Sequence, residues 1–379
     1  MSQGPLAGTR ILEFSGIGPG PFAGMLLSDL GADIIRIDRP GYDRDTPVHV
    51  TRRGRRSVAL DLKAPGATET CLALMGRADA IYEGFRPGVM ERLGLGPDVA
   101  LSHNPRLVYG RMTGWGQYGP LAQAAGHDIN YIAISGALAA IGPAEQPMPP
   151  LNLVGDFGGG ALYLVVGLLA ALLHARETGE GQVVDAAMSD GAASLMAAFY
   201  GMRADGRWKS ERAGNMLDGG SPYYGTYRCQ DDRWVAIGPL EPQFFRHLIK
   251  LLGIDFVPER QEDRAAWPAL RRSFESAFLR RPQAEWIALL EGTDACAAGV
   301  IGMEDAPRHP HNSARGTFVE VEGVIQPAPA PRFSKTPGAI QQTGFGIGAH
   351  DAEALLDWGI DRSVIDMLRA SGALAKAEL

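Results

Sequence analysis

Short apolar segments alternating with helical runs constrain this chain more than any other feature. Residues 9–14 (TRILEF) read as a buried strand and SGIGPGP as a tight Gly/Pro turn. Residues 22–32 (FAGMLLSDLGA) carry helical spacing that Gly31 terminates. Residues 33–37 give a second strand. Residues 57–62, 80–83 and 106–111 give further short strands, with a helix around 68–76. Strands interleaved with helices require crossover connections, which predicts an open α/β sheet. A chain of 379 residues is long for one core, so two domains are expected.

The second half supplies the rest of the layout. Residues 158–175 (GGGALYLVVGLLAALLHA) carry no charge and end at HARETGEG without a sizeable basic flank. That run is borderline for crossing a bilayer, which takes about 20 apolar residues, and it reads as a buried helix of a soluble core. VVDAAMSDGAASL then reads as a strand passing into a helix. Residues 203–224 are polar and Gly-rich, like a linker. Residues 227–237 suggest a hairpin turning at 230–232, and Arg- and Glu-rich helical segments run from 242 to about 291. Residues 327–337 are Pro-rich, and 351–370 read as a helical tail. The expected division is a large Rossmann-like domain (1–200), a linker (201–222), a smaller α+β domain (223–320), and a return segment (321–379) that packs on the large domain.

A formal net charge of −7 argues against nonspecific nucleic-acid binding, which needs a basic surface. Cys71, Cys229 and Cys296 form no CxxC pair and read as reduced thiols of a cytoplasmic protein. The start MSQGPLAGTR lacks the basic-then-apolar pattern of a signal peptide. His309 and His311 in RHPHN match no metal motif, so no metal is expected.

Gly16, Gly18 and Gly20, with Asp38 about 20 residues on, outline a dinucleotide fingerprint. Pro19 and Pro21 remove N–H donors that would face a pyrophosphate, and Pro21 stands where the motif needs glycine. The turn therefore reads as the head of a Rossmann-like sheet rather than a nicotinamide or flavin site. Arg39 follows a strand in RIDRP, at the edge where α/β sheets bind ligands, so it suits a phosphate. His127 opens an apolar helix beside Asp128, where outward amide groups favour an oxyanion and a neutral imidazole. Its plainer alternative is a helix-start residue satisfied by backbone. Asp156 precedes GGG and the long apolar run. It fits either an N-cap or a functional carboxylate whose neighbouring glycines admit a ligand.

Many stretches occur in one order: SGIGPGPFAGMLLSDLGADIIRIDRP, RSVALDLK, EGFRPGVMERLGLGP, RMTGWGQYGP, GHDINYIAISG, PPLNLVGDFGGG, GEGQVVDAAMSDG, NMLDGGSPYY and APRFSKTP. In these the chain resembles the 2-methylacyl-CoA racemases, within family III of the CoA transferases. The resemblance implies His127 and Asp156 as the two catalytic groups and Glu241, from the EPQF run, as support for the histidine. It implies CoA contacts from Arg39, Leu60, Asp61, Leu62, Gly84, Phe85, Arg86 and Arg92, and from Gly126, Asp128 and Tyr131 of the GHDINY run. It further implies an interlocked homodimer and a 2-methylacyl-CoA substrate that carries its own coenzyme A, with no other cofactor, no metal and no membrane or nucleic-acid partner. In the transferase branch, the aspartate at position 156 would be a nucleophile, and histidine is generally missing at position 127. GHDINY therefore favours the racemase branch.

Overall fold

The computed structural model describes residues 4–41, 50–342 and 346–374. Its contacts divide the chain into two units. The first contains Met1–Ser135, Leu151–Met196 and Ala314–Leu379, and the second contains Gly136–Pro150 and Ala197–Ser313.

The first unit is built on six strands: β1 (Arg10–Phe14), β2 (Asp33–Asp38), β3 (Arg56–Ala59), β4 (Ala80–Glu83), β5 (Val108–Thr113) and β6 (Gln182–Ala187). All neighbouring pairs are parallel, in the order β3-β2-β1-β4-β5-β6. This is the doubly wound order, which opens a crevice at the carboxyl ends of the two strands where the winding reverses. Here those strands are β1 and β4. Residues alternate between the faces as strand geometry demands. Leu12, Phe14, Ile35, Ile37 and Ile81 pack on one face against the helix Ala67–Met75 and the C-terminal residues Leu355, Trp358 and Leu368. Ile11, Ile34, Ala80 and Tyr82 pack on the other with Leu27, Leu164, Leu168 and Leu172.

Leu164, Leu168 and Leu172 belong to the helix Leu162–Thr178. Its buried positions, Leu164, Val165, Leu168, Ala171, Leu172 and Ala175, follow the helical repeat. The expected buried helix is buried on that face only, because Leu162, Tyr163, Val166 and Leu173 are exposed. The combined run Leu153–Thr178 is long and apolar enough to cross a membrane, by length and composition alone.

The second unit carries β7 (Gly225–Arg228), β8 (Trp234–Ile237) and β9 (Ala297–Val300) as an antiparallel sheet. It packs on the helices Pro242–Leu252, Trp267–Phe278 and Gln283–Leu290 around Tyr227, Phe245, Phe274, Phe278 and Trp286.

Several local expectations are corrected. β3 ends at Ala59 rather than running to 62, and Leu60 instead makes an isolated bridge to Leu374. The tail is two helices, Asp351–Asp357 and Arg362–Ala370. Gly359, at φ +76°, turns the chain between them as only glycine does readily. The return segment contains an unexpected hairpin of β10 (Phe318–Val321) and β11 (Val324–Pro327). Its turn places both Glu322 and Gly323 at positive φ, a geometry the pair EG announces less clearly than NG or DG would.

Candidate active site

Two adjoining cavities occupy the crevice at the ends of β1 and β4, and Gly16, Ile17, Gly84 and Phe85 line both. The larger, about 700 Å³, is also lined by Arg36, Asp38, Arg39, Arg52 and the run Leu60, Asp61, Leu62 and Lys63. The smaller, about 390 Å³, holds His127 and Asp156 together with Gly126, Tyr131, Arg86, Trp115, Met112 and Met188.

His127 is exposed and is the N-cap of the helix Asp128–Ile134. Its backbone N–H donates to Asn130 Oδ1 at 3.0 Å, and its carbonyl accepts the N–H groups of Asn130 and Tyr131. A short helix leaves its first amides without intrahelical partners. Two of them serve the His127 carbonyl, so those of Asp128 and Ile129 remain as donors at this end. Tyr131 is buried, donates its hydroxyl to Gly126 O, and meets Trp115 edge-on at 4.7 Å between ring centroids.

Asp156 is not an N-cap. It lies inside the π-helical turns Leu153–Ala161, which lead into the long helix. Wide turns of this kind are rare and recur at functional sites. The Asp156 N–H donates to Asp128 Oδ1 at 2.6 Å, which ties these turns to the start of the helix that His127 caps. Asn152 Nδ2 donates to Asp156 Oδ2 at 3.2 Å. Burial raises the Asp156 carboxyl above the ordinary aspartate range, against the lowering effect of the Asn152 bond; Asp128 adds to the rise and His127 opposes it.

The glycines around Asp156 let neighbouring parts of the protein approach closely. A Cβ on Gly155 would stand 2.4 Å from Asp128 Oδ1. One on Gly159 would stand 2.5 Å from Ala192 N, so this glycine lets the helix Met188–Leu195 approach. Gly18, at φ +66°, would put a Cβ 2.7 Å from Asp156 Oδ2. Gly18→Ala is therefore expected to cost about 1–3 kcal/mol of stability, read as a lowered Tm. Because the new methyl meets the carboxylate, turnover should fall further than the lost fold explains.

Glu83 ends β4 immediately before Gly84 and Phe85, which line both cavities. Its Oε2 accepts the Phe85 N–H at 2.6 Å and its Oε1 accepts Arg111 Nε at 3.2 Å. Arg111 also pairs with Glu91 at 2.8 Å. Burial outweighs these bonds and pushes the Glu83 carboxyl from 4.5 up to about 7. A raised folded-state pKa gives stability that is full below 4.5 and is lost as pH rises through about 7. Glu83→Gln should flatten the pH dependence of Tm across that window, removing a slope worth up to about 3 kcal/mol. An unchanged slope would assign the pH dependence to another group.

Of the remaining sequence candidates, Arg92 is exposed at the end of the helix Val89–Arg92 and lines neither cavity. Glu241 belongs to the second unit, where it is the exposed N-cap of Pro242–Leu252. Sequence reasoning passed over Asn152, Glu83 and Arg36. Asn152 precedes Asp156 by four residues, the spacing that brings helical side chains together. Arg36 is buried and bonded to Asp38 at 2.7 Å. Its signal, an arginine inside the apolar strand DIIRID, was available. Among the described residues, no group of three or more His, Cys, Asp or Glu could hold a metal ion.

A doubly wound α/β protein with a carboxyl–imidazole pair beside an arginine-bearing crevice is the class that this fold and site define. The chain belongs to CoA-transferase family III, whose model matches residues 6–351. It is 41% identical over 370 residues to the alpha-methylacyl-CoA racemase of Mus musculus, covering 96% of each chain. It is 42% identical over 371 residues to that of Homo sapiens, with the same coverage. A solved CaiB/BaiF family protein from Brucella suis superposes with a TM-score of 0.79 at 26% identity, over 94% of this chain and 100% of that one.

Proposed function

We propose that the protein is a 2-methylacyl-CoA racemase, interconverting the (2R) and (2S) thioesters by proton transfer through an enolate. The observation that carries this reading is that His127 and Asp156 line one cavity, where burial raises the carboxyl above the ordinary aspartate range. A thioester carbonyl makes the α-hydrogen weakly acidic. One group removes that proton as the C–H electron pair moves into the enolate, and the other delivers a proton to C2 from the opposite face. Configuration inverts, and the two groups exchange roles with direction. The N–H groups of Asp128 and Ile129 are the candidate donors to the enolate oxygen. One such donor is worth ~3 kcal/mol in comparable sites.

In this reading the larger cavity takes the CoA moiety. Arg39 meets a phosphate, and the backbone run Leu60–Asp61–Leu62 meets the nucleotide end, so remote binding energy positions the reacting carbon. The thioester reaches the smaller cavity past Gly84 and Phe85. No cofactor is needed beyond the coenzyme A of the substrate, and the enzyme works in the cytoplasm. It works as a homodimer in which Glu241 of one chain orients His127 of the other. The exposed apolar face of the helix Leu162–Thr178 supports an association of chains. A fully active monomer by light scattering would remove this part of the reading.

The deciding experiment incubates each epimer of a 2-methylacyl-CoA ester in deuterated water. Epimers should interconvert with one deuterium gained at C2. Racemisation without label, or acyl exchange onto an added acid with no epimerisation, would overturn the proposal. The second of these outcomes would assign Asp156 the nucleophilic role of the transferases.

A further inference from the structure

β3 is an edge strand of the parallel sheet, and the N–H groups on an open edge need partners. The last part of the same unit supplies them. The His350 N–H donates to Ser57 O at 3.1 Å, and the Ser57 N–H donates to His350 Nδ1 at 3.2 Å. The Ala59 N–H donates to Asp351 Oδ1 at 2.7 Å. The Gly348 N–H donates to Ser57 Oγ at 2.8 Å, and that hydroxyl donates to Asp38 Oδ2 at 2.6 Å. One step further along, the Asp61 N–H donates to Ala373 O at 2.8 Å.

These bonds end on the wall of the larger cavity. Asp38, Leu60, Asp61, Leu62 and Gly372 all line it. Asp351 is buried, and its carboxylate grips the last residue of β3, immediately before Leu60. The approach is close: a Cβ on Gly348, which sits at φ +76°, would stand 3.0 Å from Ala59 Cβ. A short side chain held this tightly fixes the direction in which the strand exits into the cavity.

We propose that Asp351 is a positioning residue for the CoA moiety, holding Ala59 so that Leu60, Asp61 and Leu62 present their backbone at the right height to the ligand. The inference rests on the larger cavity being the CoA site. The oxygen acceptor does this work rather than the negative charge. Asparagine at 351 therefore keeps the function, and alanine loses it.

The test measures Kd for free CoA by calorimetry, and KM and kcat for a 2-methylacyl-CoA ester, on the full-length protein. Asp351→Ala should raise Kd and KM about fivefold to tenfold, the effect of one lost hydrogen bond that leaves a buried donor. It should leave kcat within about twofold, and Asp351→Asn should restore Kd and KM. Arg39→Ala, measured beside it, reports on the cavity itself. If Arg39→Ala weakens CoA binding and Asp351→Ala does not, the positioning role is wrong and the cavity assignment stands. If Arg39→Ala has no effect, the cavity assignment fails and the proposal falls with it. Equal losses of kcat and Tm in the alanine and asparagine variants would also overturn it, since they would mark a general role in folding. Should Asp351→Ala not fold, Gly348→Ala presses on the same contact through Ala59. Unchanged CoA affinity in that variant would count equally against the proposal.

Discussion

His127→Ala should lower kcat for epimerisation by about 10²–10⁴-fold, the range of a lost general acid–base group. The CoA affinity should stay within about twofold. The fold should survive, because His127 is exposed and its backbone N–H and C=O, which alanine keeps, bond to Asn130 and Tyr131 at the start of its helix. The informative measurement is exchange of the α-hydrogen in deuterated water, followed separately for each epimer. With Asp156 intact, the epimer that presents its α-hydrogen to the carboxylate should still exchange it without inverting. The other epimer should be inert. If both epimers lose exchange equally, the two-base mechanism is wrong.

Asp156→Asn should give the mirror result. Asparagine has nearly the same shape and can still receive the Asn152 amide bond on its oxygen, but it holds no transferable proton. Epimerisation should again fall by about 10²–10⁴-fold. Exchange should survive only for the epimer that His127 deprotonates, the one inert in the first variant. In the wild-type enzyme, hydroxylamine added during turnover should leave Asp156 unmodified. A trapped adduct at Asp156 would show an acyl anhydride and move the protein to the transferase branch. The raised carboxyl of Asp156 gives this prediction its physical basis. Burial makes this carboxyl hold a proton more readily than an ordinary aspartate, which suits proton transfer, whereas a nucleophile must be ionised.

The two variants act through different supports. The Asp156 carboxyl is held by Asn152 and lies against Gly18, and its backbone is tied to Asp128. Losing Asn152 should therefore disturb Asp156 first and His127 little. His127 depends on the short helix that it caps, and that helix is anchored by buried Tyr131 against Trp115.

Sequence by itself determined the alternation that became the parallel sheet, because strand and helix periods are local properties of the chain. Ile34, Ile35 and Ile37 announce a strand buried on both faces, and that is how β2 sits. His127 as a helix start was equally legible, since the residues beginning a helix act over one turn. Asp156 misled for the same reason. Aspartate before three glycines and an apolar run reads as a cap, but the glycines are set by the helix packed against them, and a contact with residue 192 leaves no local pattern. Tertiary structure alone decided which strands meet at the reversal point, and so brought Gly16–Gly20, Gly84–Arg86, His127 and Asp156 to one crevice. It alone brought Asp351 back to Ala59, 292 residues away. Bonds over such separations depend on how the whole sheet closes, and no window of sequence contains both partners.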